Sequence, residues 1–91
     1  PEDHPNIGSS MNNLASTYGA LGRHKDALRM NDETLALFRR ILPEDHPHIG
    51  QSMSNLASTY GDLRRHKDAL RMKEETLAFR RRILPEDHPH R

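Results

Sequence analysis

Apolar side chains recur along this chain at alternating spacings of four and three residues. Ile7, Met11, Leu14, Tyr18 and Leu21 form the first such stripe, and that period places them on one face of a helix. Pro5 suits a first helical turn, where its missing N–H is not needed, and Glu2 and Asp3 put negative charge at the same end. A second pattern, from about His24 to Leu42, carries two stripes. Ala27, Met30, Thr34, Leu37 and Ile41 make one, and Leu28, Leu35 and Leu42 make the other. Two stripes on one helix predict two packing neighbours. Arg39 and Arg40 in its last turn complement the helix dipole, and Pro43 ends it.

The pattern then starts again. Residues 1–42 align with 43–84 without a gap, and only positions 6, 9, 12, 20, 22, 31, 32, 37 and 38 of the first copy differ. The second copy supplies Ile49, Met53, Leu56, Tyr60 and Leu63, followed by Ala69 through Leu84. Turns fall near Gly22 and Arg64. The spacing predicts helices over about 5–21 and 24–42 in the first repeat, and over about 47–63 and 66–84 in the second, with no strand signal. Residues 85–91 open on Pro85-Glu86-Asp87-His88-Pro89-His90, the start of a third copy. The chain therefore reads as a segment cut in register from a longer array.

A helix pair this small cannot bury both of its apolar faces alone, so each unit must stack on copies of itself. Arrays of this kind need about three repeats for independent stability. Two repeats without a polar capping helix predict marginal stability and apolar faces at both ends. Head-to-tail association would cover those faces and would propagate instead of closing into a dimer.

Composition narrows the chemistry. Cysteine is absent, which excludes disulfides, zinc-thiolate sites and thiol catalysis. Apolar runs are only a few residues long, too short to span a membrane, and the opening Pro-Glu-Asp-His-Pro does not read as a signal peptide. A net charge of +1 gives no strong steering toward nucleic acid. The basic runs, Arg39-Arg40 and Arg80-Arg81-Arg82, lack a stacking platform, because Tyr18 and Tyr60 belong to the apolar stripe. Those arginines are expected to serve helix ends and to pair with acids such as Glu33 and Glu75, or with the neighbouring connector. Met11, Met30, Met53 and Met72 read as core filling.

No phosphate-cradling glycine loop, nucleophile elbow or histidine–glutamate zinc helix is present, and Ser9, Ser10 and Ser16 fall on a helix as ordinary polar positions. A catalytic role is not expected. His46 and His48 beside Glu44 and Asp45, repeated at His88 and His90, suggest metal ligands. Zinc sites need three or four convergent ligands, however, and His4, His46 and His88 recur because the connector recurs. No metal and no cofactor are expected. His24 and His66 are expected to pack at the turns.

The spacing of Leu14-Ala15, Tyr18, Gly22 and Ala27 resembles that of the tetratricopeptide repeat. The usual unit is about 34 residues. Here it is 42, and the Asn13-Leu14-Ala15 string with the Pro43–Pro47 connector resembles the longer units of the kinesin-light-chain type. The resemblance covers residues 1–84. It implies an all-α fold, a right-handed superhelical solenoid of antiparallel helix-turn-helix repeats. The sequence departs from the family pattern at mid-helix B, with Asn31 and Lys73 for a large residue and Thr34 and Thr76 for a small one. Phe38 gives way to Arg80, and His24 and His66 stand where an aromatic usually begins that helix. These changes make the packing between repeats more polar.

The resemblance also implies a non-catalytic protein-interaction scaffold. Its first helix in each pair lines a concave groove for an extended peptide or a partner helix. Carried over residue by residue, the groove positions are Ser9, Asn12, Asn13, Ser16, Gly19 and Ala20, then Gln51, Ser54, Asn55, Ser58, Gly61 and Asp62. Asn13 and Asn55 fall where the family hydrogen-bonds a bound peptide, and an amide matches a peptide group as both donor and acceptor. They equally suit a structural role, holding helix ends or neighbouring repeats. No lysine or arginine on the first helix completes a carboxylate clamp, so a peptide or helix is favoured over a chain terminus. Two other readings stand beside this one. The array could be a structural or self-assembling stack, or it could be the sensor of a larger NTPase-containing signalling protein, to which arrays of this longer type are attached. The family and the lack of cysteine point to an intracellular, cytoplasmic setting, with no nucleic-acid or membrane partner.

Overall fold

The computed structural model describes residues 4–83, which form four helices: α1 (Pro5–Ala20), α2 (His24–Ile41), α3 (Pro47–Asp62) and α4 (His66–Ile83). Pro1, Glu2, Asp3, Leu84 and the opening of the third copy at 85–91, including His88 and His90, lie outside the described residues. Helices α1 and α2 pack as one hairpin and α3 and α4 as the next, with α3 laid against α2. The result is an all-α solenoid of helix-turn-helix repeats, 41 × 36 × 19 Å.

Local chemistry explains each boundary. Proline occupies the first turn of both α1 and α3. The histidine before it acts as the N-cap: the His4 ring nitrogen Nδ1 accepts from the Asn6 N–H at 3.0 Å, and His46 Nδ1 accepts from the His48 N–H at 3.0 Å. The connector histidines thus satisfy N–H groups that a helix start leaves unpaired. At the other end, Gly22 sits in the left-handed region at φ 78°. The Arg23 N–H donates back to the Tyr18 carbonyl at 2.8 Å and the Gly22 N–H to Gly19 at 3.0 Å, a Schellman closure. Arg64 repeats this turn at φ 63°, where an L side chain is strained and glycine is not.

Each turn is also clasped from outside. The Arg23 guanidinium lies 4.7 Å from the Tyr18 ring and its Nε donates to Asp26 at 2.8 Å; Arg65, Tyr60 and Asp68 repeat this at 4.8 Å and 2.8 Å. Arg29 and Arg71 reach the same carboxylates from the next turn of helix. These pairs are exposed and contribute little each. Glu75 lies 4.0 Å from Arg71, and Arg82 lies over the Phe79 ring at 5.2 Å.

The core sits at the junction of the two repeats. Leu35 and Phe38 of α2 meet Ile49, Met53, Leu56 and Ala57 of α3, which continue to Met72 and Phe79 of α4. Leu28, Leu42, Tyr60 and Ile83 close its edges. The two stripes of α2 therefore do face two neighbours. Between α1 and α2, small residues allow close approach: Ala15 and Ala27 are buried, and a Cβ on Gly8 would collide with the Phe38 ring. In the second copy Phe79, one position earlier, takes over the contact with Gly50. The aromatic has shifted by one residue, which frees position 80 for arginine.

The apolar stripe of the first helix is core in only one copy. Leu56 is 3% exposed, whereas Leu14 and Leu21 are 43% and 67% exposed. At the opposite end, Leu70 and Leu77 of α4 are 57% and 52% exposed, although Leu35 is buried at the matching position in α2. Methionines divide in the same way: Met53 and Met72 are buried, and Met11 and Met30 only half so.

Candidate functional site

A cleft of about 290 Å³ opens between the first helices of the two repeats. Asn12, Ser16 and Gly19 of α1 form one wall, Asn55, Ser58 and Asp62 of α3 the other. Ala15, Ala27, Asn31 and Thr59 make the floor. Helical geometry explains who contributes. On α1, residues 12, 16 and 19 share the face turned toward α3; on α3, residues 55, 58, 59 and 62 share the face turned back. Small side chains on both walls leave room for a backbone between them.

Six of the twelve groove residues expected from the sequence meet here: Asn12, Ser16, Gly19, Asn55, Ser58 and Asp62. The others do not. Ser9 and Gln51 line a neighbouring hollow of about 140 Å³ with Asn12, Phe38 and His48. Ser54 lines a half-open cleft on the α4 side, with Ser58, Ala57, Lys73, Thr76, Leu77 and Arg80. Asn13 and Ala20 are exposed outside the cleft, because they occupy the face that would look toward a preceding repeat. Asn55 lines this groove, and Asn13 holds the equivalent position on α1, one repeat earlier. Gly61 is not among its lining residues, whereas Gly19 is.

Asn31 and Thr59 were not anticipated in the floor. The Asn31 amide donates to the Thr59 hydroxyl at 2.7 Å, and that hydroxyl donates to the Asn55 carbonyl at 3.1 Å. Both side chains are buried, so this is a satisfied polar link across the repeat junction. The signal in the sequence was the lone amide at a position where the surrounding seam is apolar. Thr34, fully buried, donates to the Met30 carbonyl at 2.8 Å, and Thr76 to Met72 at 2.7 Å, so the two threonines need no further partner.

Polar groups on the two walls are complementary. The side-chain oxygen of Asn12 is shielded from solvent and has no hydrogen-bond partner. Asn55 has its oxygen occupied by the Gln51 amide at 3.1 Å, which leaves its own NH₂ to donate. His24 stands at the end of the cleft with Nδ1 3.9 Å from the Asp62 carboxylate, too far for a hydrogen bond. Its counterpart His66 is exposed. Asp32, beside the junction, has its carboxyl pushed above the ordinary value by partial desolvation, which the Arg65 charge opposes.

Among the described residues, no group of three or more histidine, aspartate or glutamate side chains could hold a metal ion, and no helix is long and apolar enough to cross a membrane. No curated protein matches the chain in a sequence comparison. A family model does match it, over residues 6–82 and thus nearly all of the two helical hairpins, and the chain belongs to the tetratricopeptide repeat family.

Proposed function

We propose that the chain is a non-catalytic scaffold that holds an extended peptide segment in the cleft between α1 and α3. Tetratricopeptide repeats generally mediate protein–protein interaction and typically carry no catalytic machinery. The observation that carries the finer reading is the pair of unmet amide groups: a shielded Asn12 oxygen on one wall and the free NH₂ of Asn55 on the other. An extended backbone offers an N–H to the first and a carbonyl to the second. A buried acceptor without a partner costs about 1–3 kcal/mol, so its satisfaction favours binding. Asp62 adds one negative charge and favours a ligand with a basic residue at that end of the cleft.

A peptide library displayed against the chain, followed by NMR shift mapping, tests this. Binding should perturb Asn12, Ser16, Gly19, Asn55 and Ser58. Asn55→Ala and Asn12→Ala should each weaken binding about tenfold, the size of one good hydrogen bond, while Asn13→Ala leaves it unchanged. Unchanged affinity in the Asn55→Ala variant together with a lower melting temperature would assign that residue to structure instead.

A second reading is end-to-end stacking of whole chains, and the exposed leucines favour it. Leu14 and Leu21 mark one end of the solenoid, Leu70 and Leu77 the other, and Leu35, the counterpart of Leu77, is covered by α3 at the internal junction. Sedimentation velocity over a wide concentration range separates the possibilities. Growth into a ladder of larger species supports stacking, and one steady monomeric species rejects it.

A further inference from the structure

The walls of the cleft carry a single carboxylate. Helix α1 has no charged side chain, and the only acid or strong base of α3 is Asp62, its last residue. The matching position of the first repeat is Ala20, so this charge is not part of the repeat pattern. An acid in the last turn opposes the helix dipole, so Asp62 does nothing to stabilise α3. Its side chain is 53% exposed and lines the cleft. Among the described residues, no lysine or arginine lies within ion-pair distance of it.

What does approach Asp62 is a histidine of the other repeat. The His24 ring opens α2 and holds Nδ1 3.9 Å from the carboxylate. That nitrogen is shielded from solvent and bonds to nothing. Helix α2 packs on α1 and α3, which settles the groups available to the ring. From α1 comes Tyr18 and no charge; from α3 come Tyr60 and Asp62, with His48 at the far end. On its own element the flanking cations are Lys25 and Arg23, and Arg23 is held by Asp26 and Tyr18. Past α3 lies Arg64, then Arg65, which is held by Asp68 and Tyr60. Among the described residues, Asp62 is the one carboxylate within ion-pair distance of His24.

Resting on the reading that the cleft holds an extended peptide, we propose that Asp62 and His24 form a proton-operated selector for that peptide's charge. With His24 neutral, Asp62 is free to pair with a lysine or arginine of the ligand. Asn55 and Asp62 are seven residues apart on α3, about 10 Å along the helix, or about three residues of extended chain. The basic residue therefore sits about three positions from the peptide group held by Asn12 and Asn55. With His24 protonated, Nδ1–H closes the gap and donates to Asp62, which cancels the charge that the ligand needs. A histidine ring takes up its proton between about pH 8 and 5, so the preference for a basic ligand holds above that range and fades through it. The coupling is reciprocal: a basic ligand seated on Asp62 disfavours the proton on His24.

The probe is acetylated and amidated Lys-Ala-Ser-Ser-Ala-Lys, which offers a base at either end and so suits both chain directions. Its control carries norleucine for both lysines. Binding to the nitrogen-15-labelled 91-residue chain is read by NMR shift mapping at pH 7.5 and pH 5. At the higher pH the lysine peptide should bind about threefold more tightly than its control, the size of an exposed ion pair, and at the lower pH the two should bind alike. Asp62→Asn should remove the preference at both pH values, and His24→Gln should keep it at both. A preference that still vanishes at pH 5 in the His24→Gln variant would overturn the proposal, since another group would then be the switch. Cleft shifts with equal affinity for the two peptides at pH 7.5 would overturn it as well and leave the peptide reading standing. Cleft shifts from neither peptide would overturn both.

Discussion

Helices α1 and α3 differ at only four of their sixteen residues, yet they live in different environments. Leu56 is 3% exposed and Leu14, its counterpart, is 43% exposed. Thr59 is buried against Asn31, and Thr17, its counterpart, is exposed with only its own helix to bond. The cause is positional: α3 has α2 on one side and α4 on the other, while α1 has only α2 as a substantial neighbour. In a stacked array, burial belongs to the junction and not to the repeat, so an identical side chain is core in one copy and surface in the next.

Paired substitutions at equivalent positions sharpen or break this comparison. The largest difference should come from Leu56→Ala, which costs about 2–5 kcal/mol for a buried leucine, against Leu14→Ala, expected within about 1 kcal/mol. Urea denaturation measures both; similar losses would mean that the α1 face is covered in solution. Glycine comes next. Gly8→Ala drives a methyl into the Phe38 ring and should destabilise by about 1–3 kcal/mol. At Gly50→Ala the same methyl meets Phe79 at 3.1 Å, tight but near the ring edge, and the better helix propensity of alanine should leave the net change under about 1 kcal/mol.

Thr59→Val keeps the shape but strands the buried Asn31 amide, at about 1–3 kcal/mol, while Thr17→Val should stay within about 0.5 kcal/mol. The smallest effect belongs to Asp32. Its carboxyl is raised in the folded state, mainly by desolvation, so the fold holds that proton more tightly than the unfolded chain does. The fold is then favoured when Asp32 is protonated, and that advantage is lost as pH rises through the carboxylate range. Asp32→Asn should therefore raise the melting temperature slightly at pH 7 and not at pH 3. Thermal melts at both pH values decide.

Much of the architecture was legible in the sequence because it depends on local rules. The four-three spacing of Ile7, Met11, Leu14 and Tyr18, the prolines at 5 and 47 and the two stripes of α2 are enough to indicate an all-α stack. Which stripe residues are buried was not legible, since identical stripes cannot say which one has a neighbour. The groove was half legible for the same reason. Asn12 faces forward and Asn13 backward on one helix, and a one-residue difference in facing decides which repeat pair each serves. The shift of the aromatic from Phe38 to Phe79 looked like a loss at position 38, yet in space the ring stays on the equivalent glycine.

Packing runs through α1 on α2, α2 on α3 and α3 on α4, with each helix joined mainly to the one before it in the chain. Contacts so close in sequence need little loop closure, so folding should be fast, on the order of microseconds to milliseconds. The same arrangement gives the chain two weak ends and one strong middle. Helices α2 and α3 hold the shared core, so amide exchange should be slowest there and quicken outward to α1 and α4. A partner that covers one end then does more than bind: it stops that end from fraying.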